Sequence, residues 1–260
     1  MRESSYCLEN LNTGYRVNGK QTIVGKDLNA NLYPNSITCL IGPNGAGKST
    51  LLRTLANFQP PLSGNITLQG QPLCQYTQTD IARKVSIVLT NNSHIHNLSV
   101  YDVVAMGRSP YTGFWGTLND KDKNIVEQCL ESVNVTNLKD RQINTLSDGE
   151  RQKVMIAKAI AQETPVIILD EPTSFLYYTD KVQIMLMLKK LAHEMNKTIL
   201  LSTHAIDIAL QTADYIWSLK NGELVTGSPE ELCNEKINSL SYENILECIN
   251  IIDQKHKIIP

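Results

Sequence analysis

The sequence predicts an α/β fold in which a mostly parallel sheet is preceded by an antiparallel β-subdomain and interrupted by an inserted helical subdomain. Three observations carry this. A strand, a glycine loop and a helix follow one another from residue 36, with the helix running from Leu51. Two short aliphatic runs, Val166–Leu169 and Thr198–Ser202, read as buried strands and are separated by a long helical segment at 179–195. Strand and helix alternating in this way give a mostly parallel sheet. Between about 91 and 162 strand signals nearly vanish, while 100–106, 120–133 and 148–162 carry helical periodicity.

The first forty residues hold short apolar and β-branched stretches broken by turn chemistry at Gly14, Gly19, Gly25 and Tyr33-Pro34-Asn35, so they read as strands. Later, Tyr215–Lys220, the Asn221-Gly222 dipeptide and 223–226 form a hairpin signal, because Asn-Gly supplies the left-handed conformations of a tight turn. Pro229-Glu230-Glu231 opens a helix, proline being suited to a first helical turn. The expected organisation is one domain at 1–235, with the helical subdomain at about 91–162 inside it, and a C-terminal extension at 236–260 that shows no functional pattern.

Composition narrows the function. At 260 residues the chain is long enough to bury a substantial core. With 24 basic against 26 acidic residues and no basic cluster, it lacks the charge that phosphate-backbone binding needs, so no nucleic-acid partner is expected. The apolar runs fall far short of the roughly 20 residues of a membrane-spanning helix. No secretory leader follows Met1, which places the chain in the cytoplasm. The six cysteines form no CxxC pair, so zinc and dithiol chemistry are not expected and reduced thiols are. His94 and His96 are close in sequence but have no further ligand nearby.

Gly42-Pro43-Asn44-Gly45-Ala46-Gly47-Lys48-Ser49-Thr50 fits GxxxxGK[ST] after a strand and before a helix, the context this motif requires. Its glycines let backbone N–H groups turn inward around phosphate oxygens, and the helix N-terminus adds partial positive charge. Lys48 is the point charge for the β and γ phosphates of a nucleotide, whose kind the motif leaves open among kinases, GTPases, helicases and transport ATPases, and the Ser49 hydroxyl is a Mg2+ ligand. The core is that of a P-loop NTPase. Without the Lys-Ser pair a glycine turn of this kind could be a simple helix cap.

Val166–Leu169 ends in Asp170-Glu171, so two carboxylates leave a buried strand at the carboxyl edge of the sheet, where ligands of open α/β sheets bind. Asp170 is placed to hold Mg2+ and Glu171 to orient the attacking water. An acid pair on a surface turn is the plainer reading, which the upstream P-loop disfavours. His204, at the end of the next strand, lies at the same edge and could reach the γ-phosphate, although a single histidine is more often structural.

Leu146-Ser147-Asp148-Gly149-Glu150-Arg151-Gln152 separates the P-loop classes. Together with the P-loop, the Asp-Glu strand and His204, it resembles the ATPase subunits of ABC transporters from about residue 6 to 232, with LSDGE a variation on the family's LSGGQ signature. The resemblance implies a head-to-tail dimer in which ATP on one P-loop is covered by Ser147, Asp148, Gly149 and Glu150 of a second copy. It also implies Tyr15 as the aromatic that stacks on adenine, and integral membrane permease subunits as partners at the cytoplasmic face, with an external solute-binding protein acting indirectly. The segment from Asn97 to Tyr111, above all Gly107-Arg108-Ser109-Pro110, is similar to ATPases of iron-siderophore, haem and cobalamin importers. Tyr111, Phe114 and Trp115 would then be contacts for a permease helix, or else ordinary core.

Two departures bear on turnover. Thr90 stands where the family has a Gln that contacts Mg2+; a hydroxyl is shorter than an amide, so a contact from Thr90 to Mg2+ would need a bridging water. Tyr177 stands where the family has an Asp that helps join the two sites, which predicts weakened communication between them. The alternative readings are a nucleotide-gated regulatory module and a soluble ABC-type ATPase uncoupled from transport.

Overall fold

In the computed structural model, which describes residues 4–17, 19–89, 97–113 and 115–235, the chain builds two sheets that share one core, with further helices packed on the other face of the second sheet. The N-terminal strands β1 (Tyr6–Val17) and β2 (Lys20–Leu32) pair antiparallel, and β4 (Ser63–Leu68) and β5 (Gln71–Pro72) extend that sheet in the order β2-β1-β4-β5. The second sheet contains β3 (Ile37–Ile41), β6 (Val85–Val88), β7 (Val166–Leu169), β8 (Thr198–Ser202), β9 (Tyr215–Lys220) and β10 (Glu223–Gly227) in the order β10-β9-β3-β8-β7-β6. All its ladders are parallel except β9 with β10. That antiparallel pair turns at Asn221 (φ 52°) and Gly222 (φ 82°), the two left-handed residues expected of a primed turn.

Strands β3, β7 and β8 are buried along their whole length, as strands covered on both faces must be. Successive residues therefore serve different cores. Ile167, Leu169, Ile199 and Leu201 face one cluster, packed beneath the helices, while Val166, Ile168 and Leu200 face the other, shared with the antiparallel sheet and α1 (Lys48–Leu55).

The helices begin where the sequence places capping chemistry. Ser99 caps α3 (Val100–Ala105), Asn119 caps α4 (Asp120–Ser132) and Ser147 caps α5 (Asp148–Ala161), each with an acid three residues on that completes a capping box. These three helices lie between β6 and β7 and pack on one another, which is the inserted helical layer. Gly107 lets them approach: a Cβ there would stand 2.3 Å from the Lys158 carbonyl oxygen on α5. The short α2 (Gln78–Ala82) precedes β6, and α6 (Tyr178–Glu194), α7 (Ile206–Thr212) and α8 (Pro229–Glu235) complete the order.

Helix α1 starts three residues earlier than the expected Leu51, because Gly47 at φ 100° turns the loop directly into the first helical turn. Helix α6 is displaced by one residue at each end from 179–195. Thr90, His94, His96, Phe114 and the extension at 236–260 lie outside the described residues. Among the described residues, no helix is long and apolar enough to cross a membrane, and Cys7, Cys39, Cys74 and Cys129 are free thiols.

Candidate functional site

The carboxyl ends of β3, β7 and β8 meet at one edge, and the residues that follow them converge. After β3, the loop from Gly42 to Gly47 wraps over α1. Val24 on β2 closes it from outside, its Cγ1 lying 2.3 Å from where a Cβ on Gly47 would be; only glycine fits. Lys48 is buried, and its Nζ donates to the carbonyl oxygens of Gly42 (2.8 Å) and Pro43 (3.2 Å). Ala46 N–H also bonds the Pro43 carbonyl, at 3.2 Å. Burial pushes the Lys48 ammonium below its usual range, an effect that Glu171 and Asp170 partly oppose.

Across the loop, the Ser49 hydroxyl donates to Asp170 Oδ1 at 3.1 Å. Ser202, the last residue of β8, donates to the same oxygen at 2.8 Å and accepts from the Glu171 N–H at 2.8 Å. Glu171 itself sits at φ 51°, leaving the strand in a left-handed conformation. Its Oε1 meets His204 Nε2 at 2.7 Å and its Oε2 accepts from Ser174 Oγ at 2.7 Å. Burial acts to raise this carboxyl, but the Ser174 hydrogen bond, His204 and Lys48 together outweigh it and hold Glu171 below the usual carboxylate range. His204 Nε2 also lies 3.4 Å from Lys48 Nζ.

These groups border a cavity of about 220 Å³ lined by Tyr15, Val24, Asn44, Gly45, Gly47, Lys48, Ser49, Thr50 and Glu171. Tyr15 is half exposed at its mouth, its hydroxyl in contact with that of Thr50. The loop offers backbone N–H groups and an ammonium for phosphate, and the Ser49–Asp170 contact offers two hard oxygens for a small divalent cation. Among the described residues no group of three or more His, Cys, Asp or Glu side chains could hold a metal. That donor set suits Mg2+, which needs only one or two carboxylates beside phosphate oxygens and water.

Residues 25–174 match the family model described as ABC transporter. An uncharacterised ABC transporter ATP-binding protein of Methanocaldococcus jannaschii is 40% identical over 256 residues, which is 96% of this chain and 87% of the relative. An iron(3+)-hydroxamate import ATP-binding protein of Bacillus subtilis is 36% identical over 222 residues, covering 85% and 81%. A solved dimeric ATP-binding cassette in a post-hydrolysis state, bound to ADP and Pi, superposes with a TM-score of 0.75 at 25% identity over 86% of this chain and 98% of that one. This chain belongs to the ABC transporter family.

As an ABC ATPase, the chain carries its signature away from its own cavity. Ser147 caps α5, and its N–H and hydroxyl both donate to Glu150 Oε2, at 2.9 and 3.0 Å. The Ser147 N–H, then its hydroxyl, hold the Glu150 carboxyl below its usual range. Asp148 pairs with Arg151 at 3.2 Å, and Gly149 lies against Asp180 on α6. Gly107-Arg108 turns out to be internal. Arg108 is buried, ion-paired with Asp122 at 2.9 Å and Glu163 at 2.8 Å, and donates to the Ala161 carbonyl. Tyr111 divides between the two expectations. Its hydroxyl bonds the Gln162 carbonyl at 3.0 Å and its ring lies under Arg108, yet part of it stays exposed. Trp115, at 87% exposure, is not core.

Sequence reading missed three residues of the candidate site. Ser202 had a signal, a polar residue ending a buried strand beside an acid pair. Ser174 had a weaker one, a hydroxyl three residues after Glu171. Val24 had none, since only the tertiary packing of β2 brings it against Gly47.

Proposed function

We propose that this chain is the ATP-binding and hydrolysing subunit of an importer, powering uptake of an iron-siderophore, haem or cobalamin-like solute through partner permease subunits at the cytoplasmic face of the membrane. The observation that supports it most is the meeting of two pairs at one cavity edge: Ser49 with Asp170, and Glu171 with His204. One suits a cation and the other a nucleophilic water.

The loop N–H groups and Lys48 receive the phosphates, Lys48 exchanging its carbonyl partners Gly42 and Pro43 for the β and γ oxygens. Tyr15 stacks on adenine at the cavity mouth. Ser49 and Asp170 would hold Mg2+, with Thr90 reaching it through water, and the bound cation would offset charge on the β and γ phosphates. Glu171 orients water for in-line attack on the γ-phosphorus, and the bond to the β–γ bridging oxygen breaks to release ADP and phosphate. His204 fixes the Glu171 carboxylate and hydrogen-bonds the γ-phosphate. Such preorganised charge is the largest contribution a site of this kind makes to rate.

In the complete machine two copies pair head to tail. Ser147 and Gly149 of one copy, at the start of α5, offer hydroxyl and N–H to the γ-phosphate on the other, with Asp148 and Glu150 flanking. Hydrolysis breaks these contacts and parts the copies, and the exposed end of the helical layer around Tyr111 and Trp115 passes that movement to the permease. Import and the solute class rest on the Bacillus subtilis relative and on the 97–111 segment.

Phosphate release from the purified chain with Mg2+ and ATP tests hydrolysis directly. Glu171→Gln is expected to lower turnover at least 100-fold while nucleotide stays bound, and near-normal turnover would overturn the role given to Glu171. Co-purifying the permease, then identifying what its external binding protein retains, tests the solute class.

A further inference from the structure

Helix α5 opens on a hydrogen bond whose proton the proposed reaction also needs. The Ser147 hydroxyl accepts from the Glu150 N–H at 3.3 Å and donates to Glu150 Oε2 at 3.0 Å, and the Ser147 N–H donates to the same carboxylate oxygen at 2.9 Å. A serine hydroxyl has a single proton to give. Glu150 and a phosphate oxygen cannot both receive it, so they compete for it.

Capping the helix does not account for the charge at this position. Three other helices begin with the same box, from Thr77, Ser99 and Asn119, and complete it with Asp80, Asp102 and Asp122. Only at α5 does the proposed pairing bring a phosphate to the box. A capping box accepts Gln as readily as Glu, because the amide oxygen takes the same N–H bond, so the helix would start equally well without an anion. Nor is that anion balanced nearby. Asp148 is paired with Arg151 at 3.2 Å, whereas Glu150, half-buried, makes no ion pair among the described residues, and Arg141 and Lys153 act on it from beyond contact range.

We propose that Glu150 sets how tightly a second copy closes on ATP, its carboxylate holding the Ser147 hydroxyl against the γ-phosphate and so weighing against closure. This rests on the head-to-tail pairing and the role of Ser147 given above. In the open chain the hydroxyl points to Glu150. On closure it turns to the γ-phosphate, and the carboxylate keeps only the Ser147 N–H. Two anions then stand on either side of one hydroxyl, in a site from which closure has removed water and where their repulsion is stronger than in solvent. When phosphate leaves, Glu150 takes the hydroxyl back. Glu150 is thus a positioning residue that acts through Ser147.

Dimerisation of the full-length chain at saturating Mg2+ and ATP tests this, with Glu171→Gln in every chain to retain nucleotide and affinity read by sedimentation. Glu150→Gln should tighten the dimer about tenfold or more and leave the urea midpoint of the chain in place, since the box survives. Glu150→Ala removes the carboxylate without adding a donor. It should tighten the dimer as well, although loss of half the box lowers its urea midpoint. Tightening by Gln and not by Ala would mean that a new amide contact, not the lost carboxylate, is responsible, and the proposal would fall. In a Ser147→Ala background no hydroxyl is contested, so the gain from Glu150→Gln should shrink about threefold or more; an undiminished gain would remove Ser147 from the account. A parent dimer that Glu150→Gln leaves unchanged or weakens would overturn the role of Glu150 and spare the pairing. If no chain dimerises with nucleotide, the pairing falls and this role with it.

Discussion

Ser202 connects the two acids of the site, donating to Asp170 Oδ1 and accepting from the Glu171 N–H. Ser202→Ala leaves that N–H without its partner and frees the Asp170 carboxylate to turn. An unmet buried hydrogen bond costs about 1–3 kcal/mol. The expected outcome is a kcat lower by about tenfold or more with little change in KM, measured by phosphate release, because orientation is lost and binding groups are not. Ser174 acts on the ionisation of Glu171 through a hydrogen bond. Its hydrogen bond is the foremost influence lowering a carboxyl that burial alone would raise. A group whose folded pKa is depressed stays ionised, and stabilising, until pH falls through that lowered value. Ser174→Ala raises the folded value toward the unfolded one, so the acid limb of the pH–rate profile should move to higher pH; an unmoved limb would remove Ser174 from this role. At this scale the sequence declared the groups that bear charge, since Lys48, Ser49, Asp170 and Glu171 belong to motifs whose spacing is itself the signal. It was nearly silent on the neutral hydroxyls that aim them, which become visible only once β7 and β8 lie side by side.

Helix and strand boundaries were legible wherever local chemistry decides them. The Asn221-Gly222 turn, the capping residues Ser99, Asn119 and Ser147, and the buried runs of β7 and β8 need no tertiary information. The pairing of β4 with β1, across about fifty residues of chain, has no local mark and was not foreseen. Gly107-Arg108 stood out in the sequence only through its family resemblance, and in the fold its duty is internal. Arg108 joins α4 to the end of α5 through Asp122, Ala161 and Glu163. Arg108→Met would leave the Asp122 carboxylate buried beside an apolar side chain, and breaking one side of a buried pair costs about 3–5 kcal/mol. Urea unfolding should show that loss, and Arg108→Met with Asp122→Leu should recover much of it, since the uncompensated charge is gone. If the double variant is no more stable than the single, the pair does not act as a unit. Gly107→Ala forces a Cβ onto the Lys158 carbonyl, and overpacking of this kind costs about 1–3 kcal/mol. Its midpoint should fall while the slope of unfolding against urea stays the same.

The segment from Ser147 to Glu150 does not line the nucleotide cavity, and in the head-to-tail pairing proposed above a second copy would bring it to the γ-phosphate. Binding of ATP to the folded state alone should stabilise it by about 2.7 kcal/mol at a hundredfold excess over Kd. At about 2–4 °C per kcal/mol for a chain of this length, Tm should rise by roughly 5–10 °C. Chelating Mg2+ should abolish turnover and shrink that rise. A stronger test of the pairing uses two chains that are each inactive. Lys48→Ala destroys a cradle and spares its signature; Ser147→Arg blocks a signature and spares its cradle. Homodimers of either hold no complete site, whereas a mixed pair holds one, the intact cradle of the second chain facing the intact signature of the first. Random mixing makes half the dimers mixed, with one site of two restored, so turnover should recover to about a quarter of the parent value. Should firing at one site require the other, turnover would stay low, yet one nucleotide would still be trapped per mixed dimer, against none in either homodimer. If mixing adds neither turnover nor trapped nucleotide, ATP is not held between copies.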